Sequence, residues 1–199
     1  IVDGGTIELI RSFGVNVVSS ADLVGKFEAH LSMEDWESHK IAGDIMQKVK
    51  DEAFLEISRR IKAGDNPREV EIQNYMHSMM RENNMHWEDG PVVAINEHAA
   101  DPHFEPTEEN SVAMKEGDLV LIDLWAKKNT PGSIYYDVTW MGFIGSSVPE
   151  KIENIFQIIR QARDAGLALV KERFASNTPV YGWEIDDATR KVIDDAGYG

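Results

Sequence analysis

Two aspartates interrupt short segments that are otherwise apolar and typical of strands. Asp123 lies within residues 119–125 and Asp137 within residues 135–140, and neither segment contains a basic residue. Residues 119–125 are apolar on both faces, which predicts that both faces are covered. A buried, ionised carboxylate must find a cation, hydrogen-bond donors or a proton. Each aspartate alone is therefore compatible with a structural, hydrogen-bonded carboxylate.

The spacing of the two aspartates favours a more specific interpretation. Residues 127–133 are polar and turn-rich, which predicts a hairpin loop. Thr130, in that loop, is the midpoint between Asp123 and Asp137, so a regular register places them opposite each other with Cβ atoms roughly 5 Å apart. Two facing carboxylates repel unless a cation lies between them. The pair therefore predicts a divalent metal held by oxygen ligands, with further ligands from elsewhere.

The histidines differ in what their positions suggest. His98 and His103 lie in the polar loop 96–106, and loops that enter a sheet often carry site residues. On spacing alone, either could be a metal ligand, a substrate contact or an ordinary loop residue. The remaining four lie in or beside helical segments and are interpreted as surface or packing residues: His30, His39, His77 and His86.

Composition excludes several classes of function. The chain of 199 residues has 35 acidic and 20 basic residues, a formal charge of −15, which argues against a nucleic-acid or anionic-membrane partner. It has no cysteine, so disulfides, thiolate metal sites and a cysteine nucleophile are excluded, and a reducing compartment fits. No apolar stretch is long enough to span a bilayer. Glycine loops for phosphate and serine-nucleophile elbows are also missing.

Helical patterns precede and follow the predicted strands. Ser32 is expected to cap a long helix that ends at Gly64, with a stripe of Ile41, Ile45, Val49, Ala53, Ile57 and Ile61. A second helix is expected to have Asn66 as its cap, Pro67 as its first residue and Glu69 as the capping acid. Its methionines are interpreted as core filler.

The strands are expected at residues 91–96, 119–126 and 134–144, with an edge strand at 14–18. Helix is expected to return after Pro149, to break at residues 177–179 and to end at Gly197.

The order of elements contains a weak internal repeat. A long helix, a polar turn and a shorter acidic helix occupy residues 33–83 and recur over 149–197. The first copy leads into strands, whereas the second would leave its apolar stripe exposed. We therefore expect that strands of the second copy lie beyond Gly199. The chain also starts without Met and stops directly after a helical segment, so we expect that both ends are cut.

Four segments resemble the pita-bread metallopeptidases, the group of methionine aminopeptidase, Xaa-Pro aminopeptidase and prolidase. The metal-binding hairpin of that group is similar to GDLVLIDLWAKKNTPGSIYYDVTWMGFIG, and its substrate-side loop to NEHAADPHFEPTEEN. The approach to its next metal-binding histidine is similar to VYGWEIDDATRKVIDDAGYG. The opening DGGTIELIRSFGVNVVSSADLV looks like the end of a creatinase-type N-terminal domain, which points to the Xaa-Pro aminopeptidase and prolidase branch.

The resemblance implies a fold and a division into domains. The expected fold is α+β and of the pita-bread type, here incomplete, with one helix-helix-sheet half and the helices of the second half. Residues 1–28 would be the tail of the creatinase-like domain, and residues 29–199 a partial catalytic domain.

The resemblance also implies roles for three residues. Asp123 and Asp137 match the first two metal-binding carboxylates, the second of which bridges the ions in the family. His103, which precedes Phe104, matches the histidine that contacts the substrate near the scissile bond. Trp140 stands where many members have arginine, and the hairpin loop is a few residues longer than usual. The family's later histidine and two glutamates have no counterpart here.

The implied activity is a two-metal exopeptidase that hydrolyses the bond between an N-terminal residue and proline. The full-length protein would use two divalent ions of Mn, Co or Zn to activate water and polarise the carbonyl. We expect a cytoplasmic homodimer, with the ions absent from or weakly bound to this chain, which would be inactive alone. Two alternatives are a pita-bread module that only binds peptides or proteins and a metal-free hydrolase of the creatinase type. Retention of both aspartates argues against each.

Overall fold

A computed structural model of the protein describes residues 2–199 and divides into two compact units, the first ending at Gly142 and the second spanning Phe143–Gly199. Ile1, the first residue of the predicted 1–28 segment, lies outside the described residues. The helices are α1 Gly4–Ser12, α2 Ala21–Glu28, α3 Met33–Lys62, α4 Glu69–Glu82, α5 Glu150–Ala175 and α6 Gly182–Asp195. The strands are β1 Met85–His86, β2 Val92–Ile95, β3 Leu119–Lys128 and β4 Tyr136–Phe143.

The segment before α3 contains two short helices and no strand among the described residues. Neither α1 nor α2 buries a residue. The predicted edge strand at 14–18 is wrong, because these residues have no strand partner among residues 2–199 and an unpaired strand lacks its ladder of hydrogen bonds. Val15 and Val18 are instead exposed. The assignment of residues 1–28 to a separate domain stays a prediction.

The ends of α3 follow the sequence signals closely. Ser32 Oγ accepts a hydrogen bond from the Asp35 amide, and Asp35 Oδ2 accepts one from the Ser32 amide at 2.8 Å. Gly64, which follows the last turn, has a φ of 75°, the left-handed conformation that glycine adopts freely.

The buried stripe of α3 is rotated from the predicted one. Its apolar members are Ala42, Met46, Val49, Ala53 and Ile57, whereas Ile41 is exposed. A step of four residues drifts around a helix of 3.6 residues per turn, so a strict four-residue repeat leaves the core face. Gly43 also lies on the buried face, since a Cβ there would come within 2.9 Å of the Tyr136 ring.

Helix α4 begins two residues later than expected, and Glu69 has a different role. Residues 67–69 pair with residues 112–114. The Met114 amide donates to the Pro67 carbonyl, the Glu69 amide donates to the Val112 carbonyl, and the residues between them form an isolated β-bridge. This extended pairing, formed with residues distant in sequence, prevents a helix from starting at Pro67. Glu71 accepts the Arg68 amide hydrogen at 2.6 Å, so Glu71 is the capping acid. Glu69 is fully buried instead.

Strand β3 is the centre of the sheet. It pairs antiparallel with β2, where Val92 lies opposite Asp123, and with β1 near Lys128. Strand β4 also pairs with β3. Helix α3 packs on β3, and α4 packs on β2. The buried face of β3 consists of Val120, Ile122, Leu124 and Ala126.

The opposite face of β3 is not fully covered within residues 2–199. Leu119, Leu121, Asp123 and Trp125 are all only half-buried. The prediction that both faces are covered is therefore wrong for the described residues, and Asp123 lies on the open face.

The second unit is a helix pair that repeats the α3 and α4 arrangement in order and length, as predicted. Helix α5 has 26 residues and α6 has 14, beside 30 and 14 for α3 and α4. The pair packs closely at Gly166, where a Cβ would lie 2.7 Å from Thr189 Oγ1. Several of its apolar side chains are exposed, namely Phe156, Ile159, Leu167 and Phe174. Among residues 2–199, no helix has the length and apolar character needed to cross a bilayer.

Candidate metal centre

The β3–β4 hairpin places two carboxylates and a hydroxyl on its open face. Asp123 is half-buried on β3, and Thr139 Oγ1 on β4 donates a hydrogen bond to its Oδ1 at 2.6 Å. Asp137 precedes Thr139 by two residues on β4, and residues two apart in a strand share a face. The hairpin therefore assembles oxygen atoms from Asp123, Asp137 and Thr139 on one surface.

The two carboxylates influence each other electrostatically. The pKa of the Asp137 carboxyl is raised, first because neighbouring groups remove part of its hydration and second because of the negative charge of Asp123. Such repulsion between like charges is relieved by a bound cation. Their predicted pairing as directly opposite residues stays a prediction.

A surface pocket of about 320 Å³ adjoins Asp137 and is lined also by Glu88, Asp89, Trp125 and Tyr135. The pKa of the Tyr135 hydroxyl is raised, first by partial burial and then by the charges of Glu88 and Asp89. The pocket is thus acidic as well as aromatic, an environment that favours a positively charged occupant.

The sequence interpretation missed Glu88 and Asp89. They precede Gly90-Pro91 in the turn before β2, and the pairing of Val92 with Asp123 brings that turn to the hairpin. Gly90 has a φ of 69°, and a Cβ there would lie 2.6 Å from the Trp125 ring. The turn signal at Gly90-Pro91 is visible in the sequence, but its strand partner is not.

Two histidines contact backbone carbonyl groups beside this pocket through a ring nitrogen. His39 Nδ1 lies 2.7 Å from the Tyr135 carbonyl oxygen, and His77 Nε2 lies 2.8 Å from that of Gly90. Each ring also stacks on a tryptophan, Trp36 and Trp87 respectively. Both act as packing residues, as predicted.

The two loop histidines have different surroundings. His103 is exposed, and its amide donates to Asp101 Oδ1 at 2.9 Å. His98 is half-buried, and its Nδ1 lies 2.9 Å from Glu69 Oε1. The His98 ring already has partners, whereas that of His103 faces solvent. The role of His103 as a substrate contact stays a prediction.

A buried lysine lies behind the hairpin and was not predicted from the sequence. Lys50 of α3 is only 6% exposed, and its Nζ lies 4.1 Å from the centroid of the Trp140 ring. It also donates to Gln47 Oε1, and Gln47 Nε2 donates to the Tyr136 hydroxyl. Trp140 on β4 thus meets a cation supplied by α3.

The donor set fits a hard divalent cation only in part. Asp123 and Asp137 offer the oxygen ligands that such ions prefer. Within residues 2–199, however, no group of three or more histidine, aspartate or glutamate side chains is arranged to hold a metal ion. The described residues thus supply two carboxylates toward a site that needs more ligands.

The carboxylate-bearing hairpin lies within a segment that matches a family of metallopeptidases. Residues 37–199 match the model of metallopeptidase family M24, and the chain belongs to this family. An uncharacterized peptidase of Schizosaccharomyces pombe is 32% identical over 113 residues, which are 56% of this chain and 23% of that protein.

Solved structures show the same fold. The prolidase of Pyrococcus furiosus is 22% identical with a TM-score of 0.69 and covers 89% of this chain and 48% of its own. The X-Pro aminopeptidase of Thermotoga maritima is 22% identical with a TM-score of 0.67, and the match covers 100% of this chain and 51% of the aminopeptidase. The X-prolyl aminopeptidase of Caenorhabditis elegans is 16% identical with a TM-score of 0.67, and the match covers 88% of this chain and 28% of the aminopeptidase. That protein is described as a cytosolic enzyme with a dinuclear active site.

These likenesses show that the chain has the mixed helix-and-sheet pita-bread fold, as the resemblance implied. The chain spans about half the length of the prolidase and of the Thermotoga aminopeptidase, and about a quarter of the curated relative.

Proposed function

We propose that the protein is a metal-dependent exopeptidase that hydrolyses the bond between an N-terminal residue and proline. The observation that carries this proposal is the pair Asp123 and Asp137 on the open face of the β3–β4 hairpin, in a chain of family M24. Structural neighbours that are prolidases and X-Pro aminopeptidases support the choice of substrate class.

Asp123 and Asp137 would hold two divalent ions of Mn, Co or Zn, together with further ligands. When bound, such ions supply Lewis-acid polarisation of the scissile carbonyl and activation of water. Thr139 fixes the Asp123 carboxylate by its 2.6 Å hydrogen bond, and partners of this kind orient metal ligands. His103 would contact the peptide near the scissile bond.

The substrate would be a peptide with proline at its second position, accepted by a pocket that does not require an N–H at the scissile imide. We further propose a cytoplasmic homodimer without nucleic-acid or membrane partners. The charge of −15 supports the exclusion of polyanionic partners.

We also propose that this chain alone does not catalyse the reaction. Two carboxylates leave a divalent ion with most of its waters, so the ion binds weakly. A water without a second ion and a general base keeps a pKa well above neutrality.

The test is hydrolysis of Xaa-Pro dipeptides and tripeptides by the polypeptide encoded by the complete reading frame, with Mn²⁺, Co²⁺ or Zn²⁺, beside this 199-residue chain. Asp123→Asn and Asp137→Asn should abolish hydrolysis. Asp164→Asn is the matched control, because within residues 2–199 Asp164 forms an exposed ion pair with its neighbour Arg163 and no other.

Three results would contradict the proposal in different ways. Peptide binding without hydrolysis would favour the binding module. Hydrolysis that survives complete chelation would favour the metal-free enzyme. Equal activity of the short and the complete polypeptides would show that the site is misplaced.

A further inference from the structure

Glu69 binds both ends of the loop that carries His103. Its carboxylate is fully buried and accepts hydrogen bonds from the Ile95 amide at 2.8 Å and the Val112 amide at 3.0 Å. Ile95 is the last residue of β2, and Val112 lies where the chain returns to the start of α4. One side chain therefore closes the base of the loop.

Two further hydrogen bonds strengthen this closure. The Glu69 amide donates to the Val112 carbonyl, and Ser111 Oγ accepts the Val70 amide hydrogen at 3.1 Å. Buried amides need partners, and the Glu69 carboxylate satisfies two of them. Its position is thus set by the backbone on both sides of the loop.

The Glu69 carboxylate also contacts the His98 side chain, which connects the base of the loop to the region of His103. His98 Nδ1 lies 2.9 and 3.0 Å from the two carboxylate oxygens. The His98 ring stacks on Phe104 with a centroid separation of 4.2 Å and an interplanar angle of 23°. Phe104 is buried and follows His103 directly in the chain. A continuous path of contacts thus runs from Glu69 through His98 and Phe104 to the backbone of His103.

We propose that Glu69 and His98 are positioning residues that hold the loop so that His103 is presented to the substrate. This inference rests on the proposed function, in which His103 contacts the peptide. Neither residue is required to touch substrate, because Glu69 is buried and the His98 ring is occupied by Glu69 and Phe104.

Two substitutions of His98 separate its two contacts. His98→Asn retains an N–H that can donate to Glu69 but removes the ring. His98→Phe retains a ring on Phe104 but removes the donor. Because the ring carries the contact to Phe104, His98→Asn should lower kcat/KM for an Xaa-Pro peptide about tenfold to a hundredfold, and His98→Phe should lower it less.

A double-mutant cycle with His103→Ala distinguishes positioning from general stability. In the complete-reading-frame polypeptide, His98→Asn should have little further effect on kcat/KM once His103 is removed, because it acts through that side chain. Met80→Ala, a truncation in the buried core of α4, should leave kcat/KM per folded molecule unchanged in both backgrounds. Equal losses from His98→Asn in both backgrounds would overturn the proposal.

Amide hydrogen exchange gives a readout that does not depend on activity. In the 199-residue chain, His98→Asn should accelerate exchange across residues 99–106 while α3 stays protected. Unchanged exchange in that segment would overturn the positioning role even if the protein hydrolyses Xaa-Pro bonds. Lack of hydrolysis by the wild type, with accelerated exchange in the variant, would overturn the proposed function alone.

Discussion

Thr139 donates its hydroxyl hydrogen to the carboxylate of Asp123 across the β3–β4 hairpin, at 2.6 Å. This bond fixes the orientation of the Asp123 carboxylate on the open face of the sheet. Among residues 2–199, the second oxygen of Asp123 has no hydrogen-bond partner and can bind a cation.

Thr139→Val should weaken metal binding roughly 10- to 100-fold, the usual effect of losing a partner that orients a ligand. Thr139→Ser retains the hydroxyl and should bind like the wild type. The measurement is calorimetric titration of Mn²⁺ into the complete-reading-frame polypeptide. Equal affinities of the valine and serine variants would show that the hydrogen bond does not orient a ligand.

The raised pKa of Asp137 predicts a pH dependence of stability in the metal-free protein. The folded state holds the Asp137 proton more tightly than the unfolded state does. The contribution of Asp137 to the free energy of unfolding therefore falls as the pH rises from the ordinary aspartate pKa through the raised pKa of the folded state. Asp137→Asn should therefore raise the Tm in EDTA at neutral pH, and the gain should shrink in acid.

The control for this prediction is Asp164→Asn, which should change the Tm little at either pH. In the complete-reading-frame polypeptide, saturating Mn²⁺ should reverse the order, because the ion binds the protein that retains Asp137 more tightly and so stabilises it more. A wild type that is more stable than Asp137→Asn in EDTA at neutral pH would contradict the repulsion between the carboxylates.

Gly90→Ala should destabilise the protein more than Gly64→Ala. Both glycines have positive φ, 69° and 75°, so an alanine at either position strains the backbone. A Cβ at Gly90 would also lie 2.6 Å from the Trp125 ring, whereas Gly64 has open space. Overpacking costs about 1–3 kcal/mol, which urea unfolding would measure as the difference between the two variants. Equal free energies of unfolding would show that Trp125 moves aside.

Local signals in the sequence were sufficient where the interactions are local. Ser32 identifies the start of α3 because its side chain caps the helix through a hydrogen bond that spans only three residues. The hairpin between β3 and β4 follows from its polar loop in the same way. Such a loop places Asp123 and Asp137 on two paired strands without information from the rest of the chain, and the charge of Asp123 contributes to the raised pKa of Asp137.

Long-range pairing explains what the sequence did not reveal. Glu69 has the spacing of a capping acid, but the strand-like pairing of residues 67–69 with 112–114 delays the helix and buries its carboxylate. Glu88 and Asp89 join the pocket through the register of β2 on β3. Neither the burial of Glu69 nor the position of Glu88 and Asp89 beside the pocket is indicated by a periodic pattern in the surrounding sequence.

Titration of the metal-free, complete-reading-frame polypeptide with Mn²⁺ tests the central claim most directly. Hydrolysis of an Xaa-Pro dipeptide would be followed at each addition, beside an Xaa-Ala dipeptide and beside Asp137→Asn. The account predicts that Xaa-Pro hydrolysis is absent without metal, rises with bound Mn²⁺ to saturation at two ions per chain, and stays absent in Asp137→Asn. Full hydrolysis in the absence of metal, or an unchanged titration in Asp137→Asn, would contradict it.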